Sequence, residues 1–270
     1  MARSEVGRGC RTAGRYSNTE RLLTFGTVGV VLLLWFTVTE LKLVSDILVP
    51  SPYKVMNSFL EIAREGYKEN SLLTHLGDSM IRLITSFLLV VITAIPLGLA
   101  SGYNAKIRAI IDPLIEFYRP LPPLAYYTLL VLWMGIENSS KIALLYLAGF
   151  APVYIACVAG VRKIRNDYID GAYTLGANSR QVFLHVIFPA CLPDIFVGLR
   201  TAIGVAYTTL VAAEMVAAVS GIGWMVLDAS KFLRSDVIFL GIIIMGITGI
   251  MIDWIIRIAE SRIVPWKGKE

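Results

Sequence analysis

The chain has 270 residues, of which 56% are hydrophobic and 17% charged, with a mean hydropathy of +0.67. Soluble domains carry nearer a quarter charged residues, so this composition argues against a soluble enzyme, and so much apolar surface excludes disorder. The net charge of +5 comes from basic residues set between apolar runs, a placement that orients a chain in a membrane rather than fitting it to nucleic acid.

Residues 1–21 form a polar tail carrying Arg3, Arg8, Arg11, Arg15 and Arg21. Residues 22–38 follow without a charge and span roughly 26 Å as a helix, close to the hydrocarbon thickness. No small-x-small cleavage site comes after, so the run reads as an uncleaved signal anchor. Segment 39–71 is expected outside the membrane. Within it Ser51-Pro52 opens an amphipathic helix, with Val55, Met56, Phe59, Leu60, Ile62 and Ala63 at helical spacing and a stop near Gly66. A transmembrane domain over 72–259 carries five further runs, at about 83–100, 121–136, 142–161, 195–219 and 237–256, and 260–270 forms a tail. The expected class is thus an all-α integral membrane protein of six transmembrane helices. The third run starts among Pro120, Pro122 and Pro123, which a first helical turn tolerates, and residues 119–123 read as a stiff lead into it.

With the N-terminus inside, the inner segments hold 16 Lys and Arg, among them Lys106, Arg108 and Arg119, against 7 in the outer ones. The excess places both termini in the cytoplasm. Arg82 and Arg200, near span ends, are expected to snorkel to the headgroups. Cys10, Cys157 and Cys191 form no CxxC pair, and with His75 and His185 they make no metal cluster, so the cysteines read as small apolar residues. No phosphate-binding GxxxxGK[ST], GxSxG or HExxH motif occurs, which implies no catalysis and no cofactor bound by this chain. An inverted repeat, the mark of a self-sufficient secondary carrier, is not apparent.

The longest inner segment is the loop 162–193. From Asp170 to Pro189 it reads as a helix–turn–helix at the membrane face, with Gly176 ending the first helix in a left-handed conformation, Ser179 capping the second and Pro189 limiting it. Such a hairpin suits either another protein, approaching over the small residues Gly171 and Ala172, or the lipid headgroups. Inside the spans, Glu214 is the one carboxylate well within an apolar run. It either bonds a neighbouring helix or lines a polar path with Tyr207, Thr208 and Thr209. Asp253 and Arg257, four apart, suit a local ion pair, and Gly98 and Gly102 stand in GxxxG register for close helix packing.

The loop resembles the signature of permease subunits of bacterial ABC importers: Glu-Ala-Ala, three residues, Gly, nine residues, Ile-x-Leu-Pro. Asp170 stands in the place of Glu, Gly171 and Ala172 in those of the alanines, and Gly176 in that of Gly. Val186, Phe188 and Pro189 take the places of Ile, Leu and Pro. Leu48-Val49-Pro50-Ser51-Pro52-Tyr53-Lys54-Val55, the stretch from Asp112 to Ala125 with Tyr118-Arg119-Pro120-Leu121-Pro122-Pro123, Leu132-Trp133-Met134-Gly135-Ile136 and Ser140-Lys141-Ile142 are similar to the nitrate/sulfonate/taurine branch. Tyr118-Arg119-Pro120 and Pro265-Trp266-Lys267-Gly268 resemble its taurine members. The resemblance implies a type I ABC importer permease fold in the bacterial inner membrane. It implies a second copy of the permease, a dimeric ATPase that uses ATP and Mg, and an extracytoplasmic substrate-binding protein as partners. Asp170, Gly171, Ala172, Gly176, Ala177 and Pro189 would then dock on the ATPase. The implied cargo is taurine or a related sulfonate, with other alkanesulfonates, nitrate or bicarbonate as alternatives; a stand-alone channel or carrier is the competing class.

Overall fold

The computed structural model describes residues 18–266. The expected N-terminal tail up to residue 17, with Cys10 and four of its arginines, and the tail residues Lys267 to Glu270 lie outside the described residues. Within them the chain is helical, joined by short turns, with one isolated β-bridge between Tyr67 and Asn70.

Helix α1 (Asn18–Glu40) is apolar on all sides over residues 22–36 and mostly exposed there, as a lipid-facing span must be. It leans on the rest through Trp35, whose indole N–H donates to Pro50 O (3.0 Å) and whose ring stacks on Phe239. Helix α2 (Pro52–Glu65) starts where the sequence placed it, with Ser51 accepting from Lys54 N–H and Pro52 in the first turn, and it stops at Gly66 with φ +83°. Only Val55, Ser58 and Ile62 of its residues are buried, which leaves Met56, Phe59 and Leu60 open on the outer side.

The core is built on three long helices, α3 (Leu72–Tyr103), α6 (Asn138–Lys163) and α9 (Phe188–Ala217), with α6 packed between the other two. Gly98 and Gly102 face α6 as their spacing suggests. A Cβ at Gly98 would stand 2.6 Å from Cys157 Cβ, and one at Gly102 2.6 Å from Val161 Cβ. Glycine at both positions is therefore what lets α3 and α6 touch along their backbones. Cys157 and Cys191 are free and buried in the same cluster as Val90, Ala94, Tyr154 and Ile195. Helix α11 (Ser235–Ile263) packs on α9 and on α10 (Ile222–Lys231) and turns most of its apolar surface outward.

Among the described residues five helices are long and apolar enough to cross a membrane; the apolar helix in the third run is not. The third run is helical only over α5 (Pro123–Met134), 12 residues or about 18 Å. It is preceded by a second helix, α4 (Ala105–Tyr118), where the sequence predicts an inner segment. Helix α4 begins beside the end of α3, at the end of the bundle where α6 gives way to the loop. Helix α5 ends just before the start of α6, at the opposite end. Pro120 and Pro122 separate the two because neither supplies an N–H to the helical ladder. Residues 119–122 thus separate two helices that together run from one end of the bundle to the other, and α5 starts only after them.

Proline acts differently at 189. The helix from Ser179 runs unbroken to Ala217, 39 residues, through α8 (Ser179–Val182), a π-turn (Phe183–Ile187) and α9. The widened turn, in which Phe188 N–H donates to Phe183 O, makes room for Pro189, so that proline does not limit the helix as expected.

Candidate functional site

Two features stand out from the bundle: the exposed loop at one end and a buried charged cluster near the other.

The loop rests on α7 (Asn166–Thr174), which stays helical through Gly171 and ends in a motif the sequence dictates. Gly176 has φ +85°, Gly176 N–H donates to Tyr173 O (2.9 Å) and Ala177 N–H to Ala172 O (3.1 Å). This crossed pair satisfies the last carbonyls of α7, and it needs a residue that takes positive φ without strain. The next helix is capped by Asn178, not Ser179. The Asn178 side chain accepts from Gln181 N–H, and Gln181 reciprocates on Asn178 N–H (both 2.9 Å). Asn178 wins because the residue three along is Gln, which completes a reciprocal box that Ser179 cannot make.

The turn between the helices is the most exposed apolar point of the loop. Leu175 is 91% exposed, Tyr168 and Tyr173 are also open, and a Cβ on Gly171 or Gly176 would meet nothing within 4 Å. Asp170 is exposed and Pro189 half-buried. The inner side of the same hairpin is firmly held. Ile169, Ala172, Ala177 and Phe183 pack on the main core cluster that contains Val182, Ile187, Cys157 and Ala202. A push on Leu175 therefore reaches α6 and α9 through packed side chains rather than through a flexible tether.

The second feature corrects the expectation for Arg82. Arg82 does not reach out of the bundle but is buried, 3% exposed, and its Nη1 donates to Glu214 Oε1 at 2.7 Å. Arg82 also donates to Ser220 O (2.9 Å), Ser220 Oγ (3.1 Å) and Asn138 Oδ1 (2.7 Å). Glu214 accepts in addition from Ser79 Oγ (2.7 Å) and Gly223 N–H (3.0 Å). Around them Ser220 donates to Asp78 Oδ2 (2.5 Å), Gly221 N–H to His75 Nδ1 (3.1 Å) and Ile222 N–H to Ser79 Oγ (3.1 Å). Gly221, at φ +121°, lies flat against the Glu214 carboxyl, where any Cβ would collide with it. The network sews the 218–223 turn to α3 and α9 and reaches the start of α6. His75, Asp78, Ser79 and Arg82 fall at helical spacing on one face of α3, and that polar stripe was the sequence signal for the cluster.

Near it, on α10, Asp228 accepts from the Tyr67 hydroxyl (3.0 Å) and pairs with Lys68 (3.5 Å). Burial, reinforced by Asp228, pushes the Tyr67 phenol up to about 12. Arg200 also departs from its expected snorkelling. It pairs with Asp253 (3.2 Å) and Glu260 (3.8 Å) of α11, while Asp253 holds Arg257 at 2.6 Å as the spacing suggested.

The four expected path residues are not gathered into one lining. Glu214 and Thr209 are buried, and the Thr209 hydroxyl donates to Val205 O of its own helix (2.8 Å). Tyr207 bonds Met245 O (2.9 Å) and Thr248 on α11. Thr208 is exposed and bonds its own backbone.

Comparison with known proteins fits this architecture. The family model described as binding-protein-dependent transport system inner membrane component matches residues 94–265. The chain is 42% identical over 248 residues to the taurine transport system permease protein TauC of Escherichia coli (strain K12), covering 92% of this chain and 90% of that protein. It is 32% identical to the putative aliphatic sulfonates transport permease protein SsuC of Bacillus subtilis (strain 168), covering 88% and 85%. It is 28% identical to the nitrate import permease protein NrtB of Synechocystis sp., covering 82% of each. The family match runs from within α3, across the loop, to just beyond α11. The chain accordingly belongs to the binding-protein-dependent transport system inner membrane components and has the type I ABC permease fold.

Proposed function

We propose that the chain is the permease subunit of an ATP-driven importer that carries taurine or a related sulfonate into the cytoplasm by alternating access. Two copies form the pore, and both termini and the loop 162–193 lie on the cytoplasmic side. A separate dimeric ATPase, which alone holds ATP and Mg, engages the loop through Leu175, Gly176 and Gly171, while Ala172 holds the hairpin to the core. An extracytoplasmic binding protein delivers the cargo. The observation that carries this reading is the loop itself, an exposed apolar tip on a hairpin whose other side is part of the bundle's core. Closure of the ATPase dimer draws the two loops together, and the rigid hairpin passes that movement to α6 and α9. The states differ in free energy because the loop contacts the ATPase differently in each, which a population shift requires.

Taurine is the first substrate on the strength of the 42%-identical taurine permease; alkanesulfonates, nitrate and bicarbonate are the alternatives. Glu214, with both oxygens engaged, is assigned to holding the 218–223 turn rather than to contact with cargo. The test is labelled taurine uptake by cells that carry the chain with its ATPase and binding protein, against cells lacking this chain alone. Chain-dependent uptake that unlabelled taurine suppresses and nitrate does not is the expected result. Uptake that does not depend on the chain contradicts the reading, and rescue by another anion alone replaces the substrate.

A further inference from the structure

The break between α4 and α5 places two unpaired charges at mid-depth of the span. Three contacts fix the depth. Tyr154 of α6 donates to Asp112 of α4 (2.7 Å), and Tyr118, at the end of α4, packs in the cluster with Phe150 and Ala151. Tyr127 and Leu130 of α5 pack with Leu144, Leu147 and Ala213. Residues 119–122 therefore lie beside residues 147–151, the middle of α6, far from either end of the bundle.

At this level Arg119 is exposed and still helical (φ −52°, ψ −43°), so Glu116, also exposed, stands one turn away on a neighbouring line of the same helix. Among the described residues neither side chain has a hydrogen bond or an ion pair, and the two do not bond each other. A guanidinium that cannot reach either interface does not face hydrocarbon; in membrane proteins such groups face a water-filled cavity or a partner. Discontinuous helices near the bilayer midplane serve the same purpose in transporters, since irregular backbone persists there only against protein or water.

We propose that Arg119 and Glu116 line the translocation path and form its polar station. Arg119 takes the sulfonate oxygens, for which its planar fork is suited, and Glu116 takes the ammonium of a zwitterionic sulfonate. The proposal rests on the importer reading above and adds the place in the membrane where the cargo is held.

The test uses the assembled permease–ATPase complex in proteoliposomes, with taurine-loaded binding protein supplied outside. Arg119→Gln and Glu116→Gln are each expected to lower the maximal taurine uptake rate about tenfold, the scale of one lost charge-assisted hydrogen bond. Basal ATP hydrolysis, and the binding-protein concentration giving half-maximal uptake, should stay unchanged, because docking occurs at the far end of the bundle. Arg119→Lys, which keeps the charge without the fork, should fall between the unaltered chain and Arg119→Gln. Unaltered uptake in both glutamine variants overturns the station, as does a loss matched by equal loss of assembled complex and basal hydrolysis. Absence of chain-dependent uptake with the unaltered chain overturns the importer reading instead.

Discussion

Arg82 and Glu214 show how a charge inside an apolar bundle is made tolerable. Each is buried, and between them they exchange one direct bond and recruit Ser79, Asn138, Ser220 and Gly223. Removing one partner leaves the other charged and unpaired, so Arg82→Ala and Glu214→Ala should each cost about 3–5 kcal/mol, whereas replacing both by apolar residues should cost much less than the sum. Thermal unfolding in detergent over this double-mutant cycle measures the difference; strictly additive losses would show that the pair is not coupled. Gly221→Ala should destabilise by more than 1 kcal/mol on two grounds, its φ of +121° and the Glu214 carboxyl against which its Cβ would press. Tyr67 gives a pH-dependent counterpart. Its phenol is raised from 10 to about 12, so the stability supplied by the neutral hydroxyl is complete below pH 10 and is lost as pH rises from 10 towards 12. Tyr67→Phe should lose the Asp228 bond, about 1 kcal/mol at neutral pH, and should unfold less steeply over that alkaline window.

The elements divide into those written locally in the sequence and those set by distant contacts. Helix α2, from Ser51 to Gly66, and the end of α7 at Gly176 were legible because a cap, a proline or a positive-φ glycine marks each boundary. The break at residues 119–122 was not. Pro120, Pro122 and Pro123 mark an interruption, but only the packing of Tyr118 against Phe150 and of Tyr127 against Leu144 shows that it falls mid-span. Pro189 misled in the opposite sense, because the adjoining π-turn accommodates it. The burial of Arg82 has a different origin. Its partner is 132 residues away, and single-chain periodicity does not report such a contact. At this scale the loop tip gives a direct expectation. Leu175→Cys should crosslink to a cysteine in the ATPase groove with a yield that changes with nucleotide, and no crosslink in any nucleotide state would return the hairpin to the membrane surface.

At the level of the whole molecule, three helices packed through small residues share one core, and the inner side of the loop packs on it. Gly102→Leu should separate α3 from α6, because its side chain would overlap Val161, and should lower both unfolding temperature and transport. A change at the loop tip should do the reverse, sparing the fold and removing transport, since nothing in the bundle packs on Gly176. That contrast separates a coupling element from a structural one. The most direct measurement is ATP-driven taurine uptake by proteoliposomes carrying Gly176→Arg with its ATPase and binding protein, alongside the unfolding temperature of the variant. The expected result is uptake reduced to background with membrane insertion intact and stability lowered by only about 1 kcal/mol, the cost of a side chain at positive φ. Uptake at the unaltered rate would contradict the assignment of the loop as the link between ATPase and pore.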